Sequence, residues 1–495
     1  MAGNEENADI VDGSEGETKS VNARKRKVKE TLSSLGMSVR ENCDPPVIAV
    51  LGSGGGARAM VGLMGTISKL AELNLLGAAT YMAGISGSTW CISSLYSKKN
   101  WSDFAVIQDL EMKLRERMKS ETERKCPWEK MKEKFLGESY SMTDFWAYTF
   151  VFHALNIINE EKLSSHKETC ETGEDPYPIY SAVRKYQIHE NKPEAWFEFT
   201  PHTSGFPAYN CYIKTENLGS KFKGGQILEK QPERNLIYLQ GLWGSAFGAD
   251  WVWLFFHDMY HKFIQWLTGD ETYETMSPER KLDMMNNPQL HKSWWDNITV
   301  IKNIASCFAR WKWGTTNNFL YKCKGKIPED CDLFQKEHID LIDAGLEINT
   351  PYPLVLRPHR KVDLILSFDF SEGDPFETVK KTAEYCEEHK VPFPKIPEES
   401  YELPPTKSCY VFEGDGKEIP DVMHFPQFNT QTCGDVGNIA ALQTMYTTKI
   451  LSYDDSKMKD LLDIAKKNVE SSEEQILEKL QQCVQRCNQR GMSQT

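Results

Sequence analysis

The chain has 495 residues, with 58 Lys and Arg against 71 Asp and Glu, a net charge of −13, and 13 cysteines. At about 100–200 residues per domain this length holds one large domain or a few smaller ones. The acidic balance argues against a nucleic-acid binder, which would carry a dominant basic face. No apolar run approaches the roughly 20 residues of a membrane-spanning helix. The cysteines include no Cys-x-x-Cys pair, and the first residues are acidic rather than apolar. Both point to reduced thiols and a cytoplasmic setting without bound metal. Thirteen Trp and 23 Phe favour a protein that handles something apolar.

In chain order, residues 1–20 are acidic and nearly free of large apolar side chains, the composition of a disordered tail. Arg24-Lys25-Arg26-Lys27-Val28-Lys29 opens a basic helix reaching Met37, with Val28, Leu32 and Leu35 on one side. Such a run suits a solvated face, a nuclear signal or a tether to anionic lipid. Val47 to Leu51 is a continuous apolar run and reads as a buried strand. Glycines follow at once, then a helix with Met60, Leu63, Met64, Ile67 and Leu70 at helical spacing. Thr80 to Ala83 is a second short strand, with a helix from Ser88. Strand–turn–helix twice over is the pattern of an α/β fold with parallel strands.

Residues 100–335 are less regular, with charged helices over Leu110 to Lys134 and aromatic clusters such as Phe145 to Tyr148. The stretch Trp251 to Trp266, broken by Asp258 and Lys262, fits an interfacial lid or a buried helix. The α/β pattern returns at Ile339 to Ile342 and Val362 to Phe368. A helix over Ser456 to Val469 follows, then another from the capping box Ser472-Glu-Glu-Gln475. The expected organisation is a tail and basic helix over 1–45, a catalytic domain over 46–455 with an insertion at about 100–335, and C-terminal helices over 456–495.

Three clusters carry chemistry. Gly52-Ser53-Gly54-Gly55-Gly56-Ala57-Arg58 joins a strand to a helix. It fits an oxyanion hole, where backbone N–H groups crowd against an oxygen at a helix N-terminus. It also matches a dinucleotide fingerprint formally, but that needs an acid at the end of the next strand, and that strand ends in Ala83-Gly84-Ile85-Ser86. Gly84-Ile85-Ser86-Gly87-Ser88 places a serine among small residues at a strand-to-helix turn, as a nucleophile elbow requires. Leu341-Ile342-Asp343-Ala344-Gly345 places a carboxylate at the end of an apolar strand, as a base for Ser86 or as a turn former. A triad would use histidine instead, and His257, His261 and His359 leave that open.

These clusters, in this order, resemble the catalytic core of the cytosolic (group IV) phospholipase A2 family. The resemblance extends to Trp196–Pro201, Gly241-Leu-Trp-Gly-Ser245, Trp313-Gly-Thr315, Pro351–Leu354 and Ser367-Phe-Asp-Phe-Ser371, over about residues 46–430. It implies a patatin-like α/β hydrolase with a central, mainly parallel sheet and a large helical and aromatic insertion. It further implies a Ser86–Asp343 dyad, an oxyanion hole from Gly54, Gly55 and Gly56, and Arg58 facing a substrate phosphate. Arg357 and Arg360, in an Arg-Pro-x-Arg segment, become candidate phosphate or interface contacts. The expected activity is hydrolysis of the sn-2 ester of glycerophospholipids at membrane surfaces, without a cofactor, with lysophospholipase or transacylase activity at the same site. A catalytically silent lipid-binding protein is the alternative. Within the family the chain is most like the calcium-independent gamma type, which lacks a C2 domain. That type carries a prenylation box, which the ending Met-Ser-Gln-Thr does not match.

Overall fold

The structure, a computed structural model, describes residues 9–11, 13–119, 127–137, 140–246 and 313–492, with a few positions between 296 and 307. Strands are β1 (Ile48–Gly52), β2 (Tyr81–Gly84), β3 (Tyr177–Arg184), β4 (Trp196–Phe199), β5 (Thr203–Phe206), β6 (Cys211–Lys214), β7 (Lys221–Lys223), β8 (Gln226–Glu229), β9 (Thr315–Asn317), β10 (His338–Asp343), β11 (Leu364–Asp369), β12 (Tyr410–Phe412) and β13 (Asp421–Pro426). All but β7 and β8 join one sheet, ordered β12-β13-β11-β1-β2-β3-β4-β5-β6, with β10 on β3 and β9 on β10. Its centre, β13-β11-β1-β2-β3, is parallel, and the flanks are antiparallel. β1 and β11 are buried at every position. Parallel strands covered on both faces need continuous apolar runs, and that is what made these two readable.

Two features of register build the site. Gly52 is level with Gly84 on one side and with Phe368 on the other. The turns that leave β1, β2 and β11 therefore emerge side by side at the carboxyl end of the sheet, where open α/β sheets bind ligands. The second feature is β3, which is long enough for two neighbours in tandem on one edge. Its first half pairs parallel with β2, ending at Gly84–Tyr180. Its second half pairs antiparallel with β10, where Asp343 faces Ala182. β2 and β10 thus run towards each other along β3, and their C-terminal ends meet.

Helix α2 (Gly56–Glu72) follows β1 and α3 (Gly87–Leu95) follows β2. α2 buries Met60, Val61, Leu63, Met64, Ile67 and Leu70, each contributing about 1.5–3 kcal/mol by removal from water. The helix Asp455–Glu470 lies against it so closely that a Cβ on Gly65 would meet the Leu462 carbonyl at 2.7 Å. The last helix, Glu473–Met492, is tied in by Arg486 to Asp421 at 2.7 Å. The first of these helices thus covers α2, and the second reaches β11. The stretch expected as an insertion supplies β3–β6 to the same sheet.

The N-terminal helix α1 (Ser14–Ser34) begins inside the stretch expected to be disordered. Val28 and Leu32 are buried as expected, but so are Glu17 and Arg24. Glu17 accepts from the Arg360 guanidinium at 2.8 Å and from the Tyr81 hydroxyl at 2.9 Å. Arg24 donates to the carbonyls of Ala79 at 2.9 Å and Gly77 at 3.1 Å. Much of the rest of the basic run is paired: Lys25 with Asp44, Arg26 with Glu30 and Glu174, Lys27 with Glu174. Arg24 thus anchors α1 to the body, while the ion pairs of Lys25, Arg26 and Lys27 lie at the surface. The aromatic stretch Trp251 to Trp266 lies outside the described residues.

Candidate active site

Ser86 is the residue before α3, at the sharp turn out of β2. Its backbone has φ 51° and ψ −123°, a region that L-residues rarely occupy and that costs on the order of 1–3 kcal/mol. The neighbours must be small for this bend. A Cβ on Gly87 would come within 1.8 Å of the Gly56 carbonyl oxygen, so the elbow and the glycine loop are in direct backbone contact. Gly55 and Gly56 have φ 153° and 58°, which only glycine adopts without strain.

Asp343 is fully buried. Its carboxylate accepts from the Gly345 N–H at 2.9 Å and the Ala246 N–H at 3.3 Å. Its own N–H donates to Ser245 Oγ at 3.1 Å. Burial pushes the acid up to about 6, against the opposing effect of these two amides and of the neighbouring Ser86 hydroxyl. A carboxylate raised towards neutrality is a stronger base while still ionised at pH 7. No histidine bonds to either group among the described residues, and His359 lies 3.5 Å from Glu17, in the α1 anchorage.

Around this pair is a cavity of about 220 Å³, lined among others by Gly55, Arg58, Asn349, Ser371, Lys381 and Thr448. Gly55 caps α2, Gly56 opens its first turn and Gly87 opens that of α3, where helix geometry leaves N–H groups without an intrahelical partner. The positive ends of both helices meet at Ser86. Gly54 differs from its expected role, because its N–H donates to the Asn349 carbonyl at 3.0 Å. It holds the loop, while the N–H groups of Gly55, Gly56 and Gly87 stand at the two helix N-termini.

The three arginines singled out in the sequence are each held by partners within the chain. Arg58 lines the cavity but is 1% exposed, donating to Phe370 O at 2.7 Å, Tyr446 O at 2.5 Å and Thr448 Oγ1 at 3.0 Å. Burial lowers its basicity, partly offset by Tyr453 and Glu372. These partners make it a brace between α2 and two loops rather than an open phosphate contact. Arg360 is enclosed between Glu17 and Glu198 and reaches no surface. Arg357 donates to the Tyr212 hydroxyl and to Asn210, away from the cavity. The sequence reading missed Asn349 and Lys381, took Gly87 only as a small neighbour of the elbow, and gave no role to Ser371. Ser371 closes the Ser367–Ser371 motif it had singled out.

Comparison with known proteins fits this geometry. The model of the lysophospholipase catalytic domain matches residues 48–385. Mouse cytosolic phospholipase A2 gamma is 35% identical, over 94% of this chain and 90% of that protein. The chain belongs to the cytosolic phospholipase A2 family. Its human gamma relative is 37% identical, over 95% of each chain. Among solved structures, human GIVD cytosolic phospholipase A2 superposes with a TM-score of 0.75 over 98% of this chain and 69% of that one, at 24% identity. The family's patatin-like sheet is thus the one described here. No described helix is long and apolar enough to cross a membrane.

Proposed function

We propose that this chain hydrolyses the sn-2 acyl ester of glycerophospholipids at a membrane surface, through an acyl-Ser86 intermediate. The observation that carries the reading is Ser86 and a buried, raised Asp343 brought together in one cavity where β2 and β10 meet. Asp343 takes the Ser86 Oγ proton as the oxygen attacks the ester carbonyl. The developing oxyanion sits against the first-turn N–H groups of α2 and α3, the arrangement that contributes most to acyl transfer. The tetrahedral intermediate collapses, the glycerol oxygen leaves as lysophospholipid, and Asp343 returns the proton to it. Water then repeats the sequence on the acyl-serine and releases the fatty acid. A lysophospholipid or a second lipid alcohol entering at either stage gives lysophospholipase or transacylase products. The reading includes calcium independence, which the EDTA arm of the test addresses.

The test is lipid-product mass spectrometry on mixed vesicles, with wild type beside Ser86→Ala, in EDTA. Fatty acid released by wild type alone supports the reading. A silent lipid-binding protein would bind the vesicles and release nothing, and equal fluorophosphonate labelling of both proteins would remove Ser86 as nucleophile.

A further inference from the structure

A second buried carboxylate stands beside the cavity without entering the mechanism above. Asp369 ends β11 and is 1% exposed. Its Oδ1 accepts the Ser371 N–H at 2.9 Å, and its Oδ2 accepts the hydroxyls of Ser371 at 3.1 Å and Thr378 at 3.0 Å. With its proton committed to Asp369, the Ser371 oxygen accepts from Asn349 Nδ2 at 2.8 Å. Asn349 then grips the glycine loop from two sides. Its Nδ2 also donates to the Gly54 carbonyl at 3.1 Å, and its own carbonyl accepts the Gly54 N–H at 3.0 Å. The turn after β11 holds the loop a second time, since Phe370 N donates to Ser53 Oγ at 2.6 Å.

The direction of these bonds matters. A serine hydroxyl has one proton. An ionised Asp369 takes that proton and so fixes the Ser371 lone pairs towards Asn349. Without that acceptor the hydroxyl rotates freely and Asn349 loses a fixed partner. The loop it holds carries the Gly55 and Gly56 N–H groups. We propose that Asp369 is a positioning residue for the reaction, acting through Ser371 and Asn349 to set the glycine loop against the oxyanion. The proposal rests on the reading of Ser86 as nucleophile and adds to it the group that fixes the donors.

A misplacement of about 1 Å at a reacting centre costs up to about 10²-fold. The expected result for Asp369→Asn and for Ser371→Ala is therefore a kcat lowered about 10- to 100-fold, with KM within about twofold. The rate of fluorophosphonate labelling at Ser86 should fall in parallel, because phosphonylation uses the same donors. Since one relay passes through both residues, the double variant should be no slower than the slower single one. The charged and titratable groups against Asp369 are Arg58 and the Tyr352 phenol. Burial pushes Asp369 up to about 6, so wild type should lose activity below that pH with the steepness of two protons, and Asp369→Asn with that of one.

A wild-type kcat and labelling rate in Asp369→Asn would overturn the proposal, as would losses that multiply in the double variant. If Asp369→Asn fails to fold, an unimpaired Ser371→Ala overturns it equally. A wild type labelled at Ser86 that releases no fatty acid faults the substrate reading, and the labelling rates still decide the relay. A wild type never labelled at Ser86 overturns both.

Discussion

Asp343 and Glu17 are equally withdrawn from water, at 0% and 3% exposure, yet their acidities move in opposite directions. Burial raises Asp343, and only neutral donors oppose it. Burial would raise Glu17 too, but the Arg360 charge and hydrogen bond, helped by His359, outweigh it and hold the acid well below its ordinary value. The difference lies in the company each carboxylate keeps. Asp343 sits where donors are backbone amides and a hydroxyl, so it stays reactive. Glu17 sits against a guanidinium that is itself raised by two carboxylates despite its burial, so it is inert and structural.

The largest expected effect comes from removing the reactive member. Asp343→Asn and Ser86→Ala should each lower kcat by about 10⁴-fold, as loss of a triad member does, measured as fatty-acid release at saturating substrate. An Asp343→Asn enzyme within tenfold of wild type would break the assignment of the base.

Removing the inert member's partner should act on stability alone. Arg360→Met leaves Glu17 and Glu198 buried with only the longer contacts to His359 at 3.5 Å and Arg357 at 3.8 Å, a loss of about 3 kcal/mol in urea unfolding, while the kcat of the folded fraction stays at the wild-type level. A lowered kcat per folded molecule would tie the anchorage to the site.

The two carboxylates also predict stability changes of opposite sign. Glu17→Gln should lower the melting temperature at pH 7, by the equivalent of about 1–2 kcal/mol. Asp343→Asn should raise it by about 1 kcal/mol, because wild type keeps a proton-hungry group ionised there. The raised Asp343 binds its proton more tightly folded than unfolded. Its favourable contribution is therefore complete at acid pH and lost as pH rises through about 6. For Glu17 the contribution is present at neutral pH and lost as pH falls below its ordinary 4.5. Melting temperatures of both variants against wild type between pH 4 and 8 check the signs. The smallest effect is in the rate profile, where kcat/KM should fall as pH drops through about 6 and plateau above it.

The sequence made the reactive region more legible than the structural one. Continuous apolar runs announced β1 and β11, and small residues around Ser86 announced the elbow, because both are local requirements. Charges were harder to place. Glu17, Arg24, Arg58 and Arg360 look like solvent or ligand contacts when read singly, and each is buried by partners far away in the chain. The acidic start of α1 resembled a disordered tail because a buried ion pair has no local signature. The role of Gly54 depended on a carbonyl of Asn349, which no spacing rule reaches. The strands β3–β6 inside the irregular stretch were not legible, because they are short and their places in the sheet are set by pairing.

The head-to-head meeting of β2 and β10 governs when the molecule becomes active during its synthesis. Chains emerge and fold from the N-terminus, so Ser86 leaves the ribosome with more than half of the chain still to come before Asp343 follows. β1 waits longer still, as its second parallel neighbour is β11. Until then one edge of the central strand is open to pairing with other chains. A nascent or truncated product therefore has Ser86 without Asp343 beside it and exposes an aggregation-prone strand. On the proposed reading, an unfinished chain holds the nucleophile without its base, and the site is completed only as the sheet closes.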